Sequence, residues 1–281
     1  MKHIILFLSI VAASFANAQD TNQPIHINVT GNGNPILLIP GFTVPGESWD
    51  ATVKELERNY ECHVITIAGF GGKQPIDFPW LPSVNNAIED YISNNNLKDL
   101  TVIGHSLGGT IATWLASQKN NNIAKIILVD ALPAAGALMI PNFNPDHLVY
   151  DSPYNNQQLN MNEDDFSKMA ESMAKGMSLN SEAQVKIKEW IVQADRKTYV
   201  YGYTDYLKMD LREDLKHITV PVTIIAADTP FGKDMATQTY KNQYANLANY
   251  ELILADDSAH FIMFDQPQWF IEQLKNILAS N

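Results

Sequence analysis

The chain contains 281 residues, and its 31 acidic and 19 basic side chains give a net charge of −12 at pH 7. Hydrophobic residues make up 46% of the sequence, which is enough for a sizeable core and excludes the disordered, collagenous and disulfide-rich classes. The acidic balance argues against nucleic acid, which needs clustered Lys and Arg, and against electrostatic docking on an anionic membrane.

The first eighteen residues have the features of an export signal. Lys2 is a basic start, an apolar run follows from 4 to 15, and Ala16-Asn17-Ala18 fits the small-x-small pattern at a cleavage site. The apolar run is too short to span a bilayer comfortably, although an uncleaved anchor is the alternative. We therefore expect cleavage after Ala18, export to a periplasm or out of the cell, and no stable membrane anchor.

The first half of the mature chain alternates strand-like and helical segments. An alternating apolar and polar run predicts a half-buried strand at 25–29, and a Gly-Asn turn at 31–34 is typical of a hairpin. Continuously apolar runs, typical of strands buried on both faces, follow at 36–39, 62–67, 100–103 and 126–129. Helices are predicted at 49–57, 83–93 and 108–117. This alternation indicates an α/β fold, a mostly parallel sheet flanked by helices.

Cys62 is the only cysteine, so no internal disulfide is possible even in an oxidising compartment. It begins an apolar run that offers none of the polar, charged surroundings that activate a thiolate. We therefore expect a buried structural thiol.

Only helical patterns are found from residue 133 to residue 217. Three helical candidates stand out: an apolar stripe, a capping-box pattern and a Tyr-rich segment, formed by Phe166, Met169, Met173 and Met177, by Ser181 and Gln184, and by 199–209. Six of the nine methionines lie here, which fits either a pocket lining or packing against the sheet. We interpret 133–217 as a helical lid inserted into a core made of 19–132 and 218–281.

The α/β alternation resumes after this segment. Strands are predicted at 222–226 and 250–254, and helices at 240–247 and 269–278.

The most informative motif is Gly104-His105-Ser106-Leu107-Gly108, which directly follows a predicted buried strand and opens a helix. In G-x-S-x-G the turn between strand and helix is so tight that side chains flanking the serine would clash, and glycine removes those clashes. The serine is held in a strained conformation with its hydroxyl exposed above the sheet. The helix N-terminus behind it favours developing negative charge. Ser106 is therefore the predicted nucleophile.

With this elbow the sequence resembles the α/β-hydrolase superfamily over essentially the whole mature chain. Further segments that carry the resemblance are 36–42, Gly69-Phe70-Gly71 and Ser258-Ala259-His260-Phe261 with Asp265-Gln266-Pro267. The resemblance implies a nucleophilic serine that precedes the catalytic histidine in the chain. It also implies an oxyanion hole made by the backbone N–H groups of Phe42 and Leu107. Pro40-Gly41 stands where family members often carry His-Gly.

His260 is the predicted general base. It follows a predicted strand and a short acidic loop, which places it at the carboxyl end of that strand, where sites form in open α/β sheets. A serine hydroxyl needs an adjacent base, and an imidazole can act as base and then as acid. His105 lies next to the nucleophile in sequence, and we expect it to be a packing residue.

The sequence leaves open which carboxylate orients His260. In most of the family it lies a few residues beyond the strand that follows the lid, which here falls near Thr229-Pro230, where the chain has no acid. Asp228 lies two residues earlier and Asp234 four residues later. Asp130 is the alternative, because some relatives place the acid directly after the earlier strand that ends at Val129.

These residues predict an exported serine hydrolase that cleaves a carboxylic ester or related acyl bond through a Ser-His-Asp triad and an acyl-enzyme. The expected substrate is a small or medium ester with an apolar portion. Alternatives are a catalytically dead binding protein, an acyltransferase, or a lactonase, C–C hydrolase or haloperoxidase of the same fold. No cofactor or metal is expected, because the sequence has no H-E-x-x-H, paired cysteines or phosphate loop.

Overall fold

The structure, a computed structural model, describes residues 22–119 and 121–280. The export signal predicted at 1–18 lies outside these residues. Within the described ranges, no helix is both long enough and apolar enough to cross a membrane.

One sheet forms the centre of the described chain. Its strands are β1 (Ile25–Gly31), β2 (Asn34–Ile39), β3 (Tyr60–Ile67), β4 (Leu100–His105), β5 (Ile123–Val129), β6 (Val222–Ala227) and β7 (Glu251–Ala255). Their spatial order is β1-β3-β2-β4-β5-β6-β7, and neighbours are parallel except for the antiparallel pair β1–β3. The predicted α/β fold with a mostly parallel sheet is confirmed.

The apolar runs of the sequence are strands buried on both faces. Ile36 and Leu38 pack into the hydrophobic cluster on one face of the sheet, and Leu37 and Ile39 pack into the cluster on the other. All four side chains have no exposed surface. Helices therefore cover both faces of the central strands, as a parallel sheet requires.

The hairpin expected from the turn at 31–34 does not form. β1 pairs with β3, for example Val29 with His63, whereas β2 lies between β3 and β4. The reason is burial: β2 is apolar and fully buried from Ile36 to Ile39 and takes an inner position, whereas β1 has the half-exposed Val29 and takes the edge.

Helices connect the strands. They are α1 (Asp50–Leu56), α2 (Trp80–Asn94), α3 (Leu107–Ser117), α4 (Ala135–Met139), α5 (Pro153–Leu159), α6 (Glu163–Met177), α7 (Ser181–Gln193), α8 (Tyr203–Lys208), α9 (Lys233–Gln243), α10 (Ile262–Asp265) and α11 (Pro267–Ala279). A π-helical turn at Thr198–Gly202 precedes α8, and 3-10 turns occur at Gly46–Trp49, Pro145–His147 and Asp214–His217.

Two predicted helix boundaries are wrong for identifiable reasons. α2 begins at Trp80 rather than at residue 83, because the Asp205 carboxylate, from a distant part of the chain, accepts the backbone N–H groups of Trp80 and Leu81. The helix predicted at 240–247 is α9, which lies earlier. Its first two turns are mostly polar, and Ala236 is their one buried residue, so they carry no apolar periodicity for the sequence pattern to detect.

The segment between β5 and β6 contains α4 to α8 and no strand among its described residues, in line with the helical patterns of the sequence. Its α6 directs Phe166 into the core, with no exposed surface. The capping box expected from Ser181 and Gln184 is shifted by one residue. Asn180 is the N-cap of α7 and accepts two backbone N–H groups, whereas Gln184 donates to the Ser178 carbonyl.

Candidate active site

The predicted site residues follow four parallel strands of the sheet, of which β2, β4 and β5 are adjacent and β7 is separated from β5 by β6. Phe42 comes after β2, Ser106 after β4, Asp130 after β5 and His260 after β7. Because parallel strands present their carboxyl ends at one edge, the topology brings these residues to the same side of the sheet.

The nucleophile elbow has the strained geometry that its sequence predicts. Ser106 adopts φ +53° and ψ −121°, a backbone region that residues other than glycine rarely occupy. A Cβ at Gly104 would lie 2.2 Å from the Gly108 carbonyl oxygen, and one at Gly108 would lie 2.2 Å from that of Ile39. Only glycine lets α3 approach β2 and β4 this closely, so the two glycines set the position of Ser106.

The loop after β2 lies against the elbow. A Cβ built on Gly41 would be 3.2 Å from the Ser106 Cβ and 2.9 Å from the His105 Nδ1. Leu107 is the first residue of α3, so its backbone N–H has no acceptor within the helix. The segment that carries Phe42 and the N-terminus of α3 therefore flank the serine.

Asp130 is the carboxylate that binds His260. Its Oδ2 lies 2.6 Å from the His260 Nδ1, and its Oδ1 accepts the Ala227 backbone N–H at 2.9 Å and the Tyr240 hydroxyl at 2.8 Å. Burial by itself would raise the pKa of Asp130, but the bonds from His260, Ala227 and Tyr240 stabilise the carboxylate and hold its pKa below the ordinary value. Asp130 is thus set to remain ionised beside the imidazole.

The other candidate acids lie elsewhere. Asp228 accepts the Thr229 hydroxyl at 3.2 Å and the Ser258 backbone N–H at 3.4 Å, and Asp234 lies in the first turn of α9. Among the described residues, neither of them forms a hydrogen bond or ion pair with His260, whose carboxylate partner is Asp130.

His105 contacts the histidine loop, the loop between β7 and α10 that carries His260. The position of His105 in the sequence did not reveal this contact. Its Nε2 donates to the His260 carbonyl at 2.9 Å, and the two rings lie 4.6 Å apart. Burial, with a smaller effect of His260, lowers the pKa of His105 to about 3, so the ring is neutral.

The described residues include no hydrogen bond between the Ser106 hydroxyl and His260. In substrate-free sites such bonds are often long, and they tighten in the complex.

Aromatic side chains from the helical insertion, the segment between β5 and β6, approach Ser106. Tyr206 in α8 brings its hydroxyl to the side chains of Ser106 and Thr110, and burial raises its pKa. The Phe42 ring lies 5.2 Å from that of Tyr203 and 6.0 Å from that of Tyr199. Burial also raises the pKa of Tyr199, to about 12, so this aromatic wall is uncharged.

Nothing in the described ranges is arranged as a metal centre: no group of three His, Cys, Asp or Glu side chains is placed to hold an ion.

Comparison with known proteins places this geometry in a family. The profile of the alpha/beta hydrolase family matches residues 36–273, most of the chain. The chain belongs to the alpha/beta hydrolase family. The elbow at Ser106 and the segment around His260 both lie within the matched residues.

Relatives and solved structures of this family differ in their named activities. The chain is 23% identical over 258 residues to the pimeloyl-[acyl-carrier protein] methyl ester esterase of Vibrio cholerae, covering 89% of this chain and 96% of that protein. An esterase from Exiguobacterium antarcticum superposes with a TM-score of 0.75 at 19% identity, covering 91% and 96% of the two chains. A bromoperoxidase from Bacillus anthracis superposes with a TM-score of 0.73 at 19% identity, covering 91% and 95%. These structures share the fold, so the activity has to be argued from the site.

Proposed function

We propose that this protein is an exported serine esterase, with Ser106 as nucleophile, His260 as general base and Asp130 as the acid that orients the base. The observation that carries the proposal is the bond between His260 and Asp130 at the sheet edge where the strained Ser106 stands. The esterase named among the relatives, which the chain matches over most of its length, supports an ester as the substrate class.

The proposed reaction has two steps. The Ser106 oxygen attacks the ester carbonyl while His260 accepts its proton, and Asp130 stabilises the imidazolium. Backbone N–H groups of Leu107 and Phe42 donate to the tetrahedral oxyanion. The intermediate expels the alcohol, which takes the proton from His260, and leaves an acyl ester on Ser106. Water, deprotonated by His260, then attacks that ester, releases the carboxylic acid and restores the serine.

The aromatic wall beside the nucleophile supports an ester with an apolar acyl or alcohol portion. The hydroxyls of Tyr203 and Tyr199 contact the sulfurs of Met139 and Met173 at 3.5 Å, so polarisable side chains continue the wall. The Vibrio relative is named for the methyl ester of a pimeloyl group that an acyl-carrier protein carries. Free and carrier-bound methyl esters are therefore the pair to compare, alongside short p-nitrophenyl esters.

Export is a separate part of the proposal, supported by the sequence of the first eighteen residues. Expression of the full chain in a bacterium with a secretion pathway should yield a protein whose N-terminal residue is Gln19. Recovery of chain that still begins at Met1, in the cytoplasm, would contradict export and leave the esterase proposal intact.

The activity is tested by intact mass after treatment with a fluorophosphonate and by hydrolysis of p-nitrophenyl butyrate. We expect one adduct and turnover for the wild-type protein, and neither adduct nor turnover for Ser106→Ala. An adduct on Ser106→Ala would exclude Ser106 as the nucleophile. Absence of both adduct and turnover in the wild type would favour a binding protein on the same fold.

A further inference from the structure

The Asp130 carboxylate is held on both of its oxygens by the protein. Oδ2 faces the His260 Nδ1, whereas Oδ1 accepts two donors, the Ala227 backbone N–H and the Tyr240 hydroxyl. The Asp130 side chain is only 16% exposed, so the protein rather than bulk water supplies these partners.

Donors on Oδ1 decide how the carboxylate faces His260. The terminal torsion of an aspartate is broad, so the group turns easily about its last bond unless its oxygens are bound. The Ala227 N–H belongs to β6 and is fixed by the sheet. Tyr240 lies in α9, and its hydroxyl is the side-chain donor that completes the restraint on Oδ1.

Tyr240 is suited to act as a permanent donor. Its side chain is buried, at 6% exposure, and burial together with the Asp130 charge raises its pKa well above the ordinary value. The phenol is therefore protonated and able to donate at neutral pH. Because Asp130 follows β5, β6 and the helix after it contribute donors to this carboxylate instead of the carboxylate itself.

We propose that Tyr240 is a positioning residue of the active site, whose hydroxyl holds the Asp130 carboxylate in the orientation that binds the His260 Nδ1–H. This inference rests on the proposed function, since orientation of Asp130 affects turnover only if Asp130 and His260 act on Ser106. Tyr240 acts through Asp130.

Tyr244 provides a matched control. Its ring is stacked on that of Tyr240, with centroids 6.2 Å apart and planes at 4°, and it is also buried. Its hydroxyl donates to the Ala131 carbonyl at 2.9 Å rather than to the carboxylate. Removal of either hydroxyl costs the fold a buried hydrogen bond, but only one of these bonds reaches Asp130.

The first test compares Tyr240→Phe with Tyr244→Phe in the hydrolysis of p-nitrophenyl butyrate. We expect kcat to fall about tenfold in Tyr240→Phe, the effect of losing one hydrogen bond to a charged group, with KM changed less than about twofold. Tyr244→Phe should keep both constants within about twofold. Equal effects of the two substitutions would reduce Tyr240 to a structural role and overturn the inference.

A second test separates positioning from stability. In an Asp130→Asn background, addition of Tyr240→Phe should lower kcat no further, because the orientation it maintains no longer matters. In proton NMR spectra, the downfield resonance of the His260 Nδ1–H should shift in Tyr240→Phe and stay unchanged in Tyr244→Phe. An additive loss of kcat, or an unchanged resonance in Tyr240→Phe, would overturn the inference.

The two proposals fail in different ways. If Ser106→Ala and Asp130→Asn both retain wild-type kcat, the proposed function is wrong and the role of Tyr240 is lost with it. If both variants are inactive and Tyr240→Phe has wild-type kcat, the esterase mechanism stands and only the positioning role of Tyr240 is wrong.

Discussion

Ser106 is held in a strained backbone conformation. Its positive φ costs the fold of order 1–3 kcal/mol, a strain that persists only where the surroundings hold it. Here the Ser106 N–H donates to the Val129 carbonyl at 2.9 Å, which anchors the elbow to the end of β5. The next residue in the chain is Asp130, so Ser106 and Asp130 are both held at the end of β5.

Asp130 and Asp228 are distinguished by a single pair of substitutions. Asp130→Asn removes the charge beside His260 and presents the ring with the wrong hydrogen-bonding group, so kcat should fall by about 10³-fold to 10⁴-fold. Asp228→Asn should change kcat less than about threefold, because Asp228 contacts Thr229 and Ser258 instead. Steady-state kinetics on a p-nitrophenyl ester checks both. A larger loss in Asp228→Asn would contradict this assignment.

His105 should remain neutral across physiological pH. Burial lowers the folded-state pKa to about 3, so its NMR resonances should not titrate between pH 5 and pH 8. The unfolded chain binds this proton near pH 6.5, so the contribution of His105 to stability is complete above that pH and is lost progressively as pH falls. Between pH 7 and pH 4, the free energy of unfolding should therefore fall less in His105→Gln than in the wild-type protein. Titration of His105 near pH 6 would refute its burial as a neutral ring.

At the scale of elements, the contact of α3 with the sheet depends on missing side chains. The elbow glycines allow the first turn of α3 to rest on the backbone of β2 and β4. Backbone atoms in the middle of a sheet cannot move aside, unlike the end of a flexible side chain. The same contact that sets the position of Ser106 therefore makes the elbow intolerant of substitution.

Two glycine substitutions test this contact. Gly108→Ala places a methyl group 2.2 Å from the Ile39 carbonyl oxygen and should lower the free energy of unfolding by about 3 kcal/mol. Gly176→Ala, near the end of α6 with no atom outside the adjoining helix backbone within 4 Å of the new methyl group, should raise it by about 0.5 kcal/mol. Urea unfolding measures both values. Equal stability of the two variants would show that the elbow can relax.

At the scale of the whole molecule, one carboxylate joins the insertion to the histidine loop. Asp265 Oδ1 accepts the Ser178 hydroxyl and the backbone N–H groups of Leu179 and Asn180, which lie between α6 and α7. Its Oδ2 accepts the Ala259 N–H at 2.8 Å, next to His260. The position of the insertion and that of the proposed base thus depend on the same side chain.

Asp265→Ala should loosen both segments at once. Loss of four hydrogen bonds to a carboxylate should lower the free energy of unfolding by about 3 kcal/mol and increase hydrogen exchange at 178–180 and 259–261 together. Glu171→Ala, which removes an exposed carboxylate from α6, is the control and should leave exchange at both segments unchanged. Faster exchange in only one segment would argue against their coupling through Asp265.

The sequence by itself determined the alternation of strands and helices, the buried character of the inner strands and the glycine-framed turn at Ser106. These features depend on residues that are contiguous in the chain, because periodicity, turn geometry and glycine spacing are local properties of the backbone. The order of the strands in the sheet was harder to predict from the sequence. The expected hairpin between β1 and β2 does not form, because the burial of β2 outweighed the preference of the turn at 31–34.

Only the tertiary structure decided which carboxylate faces His260. It also showed that Tyr240 donates to Asp130 and that His105 donates to the His260 carbonyl. Asp130, Asp228 and Asp234 carry the same functional group near strand ends, so composition and spacing leave them equivalent. Their difference arises from the sheet order and from the φ of +44° that turns Asp130 beyond β5, which bring together residues 130 positions apart. A long-range contact of this kind depends on the packing of the whole chain, and no local pattern encodes it.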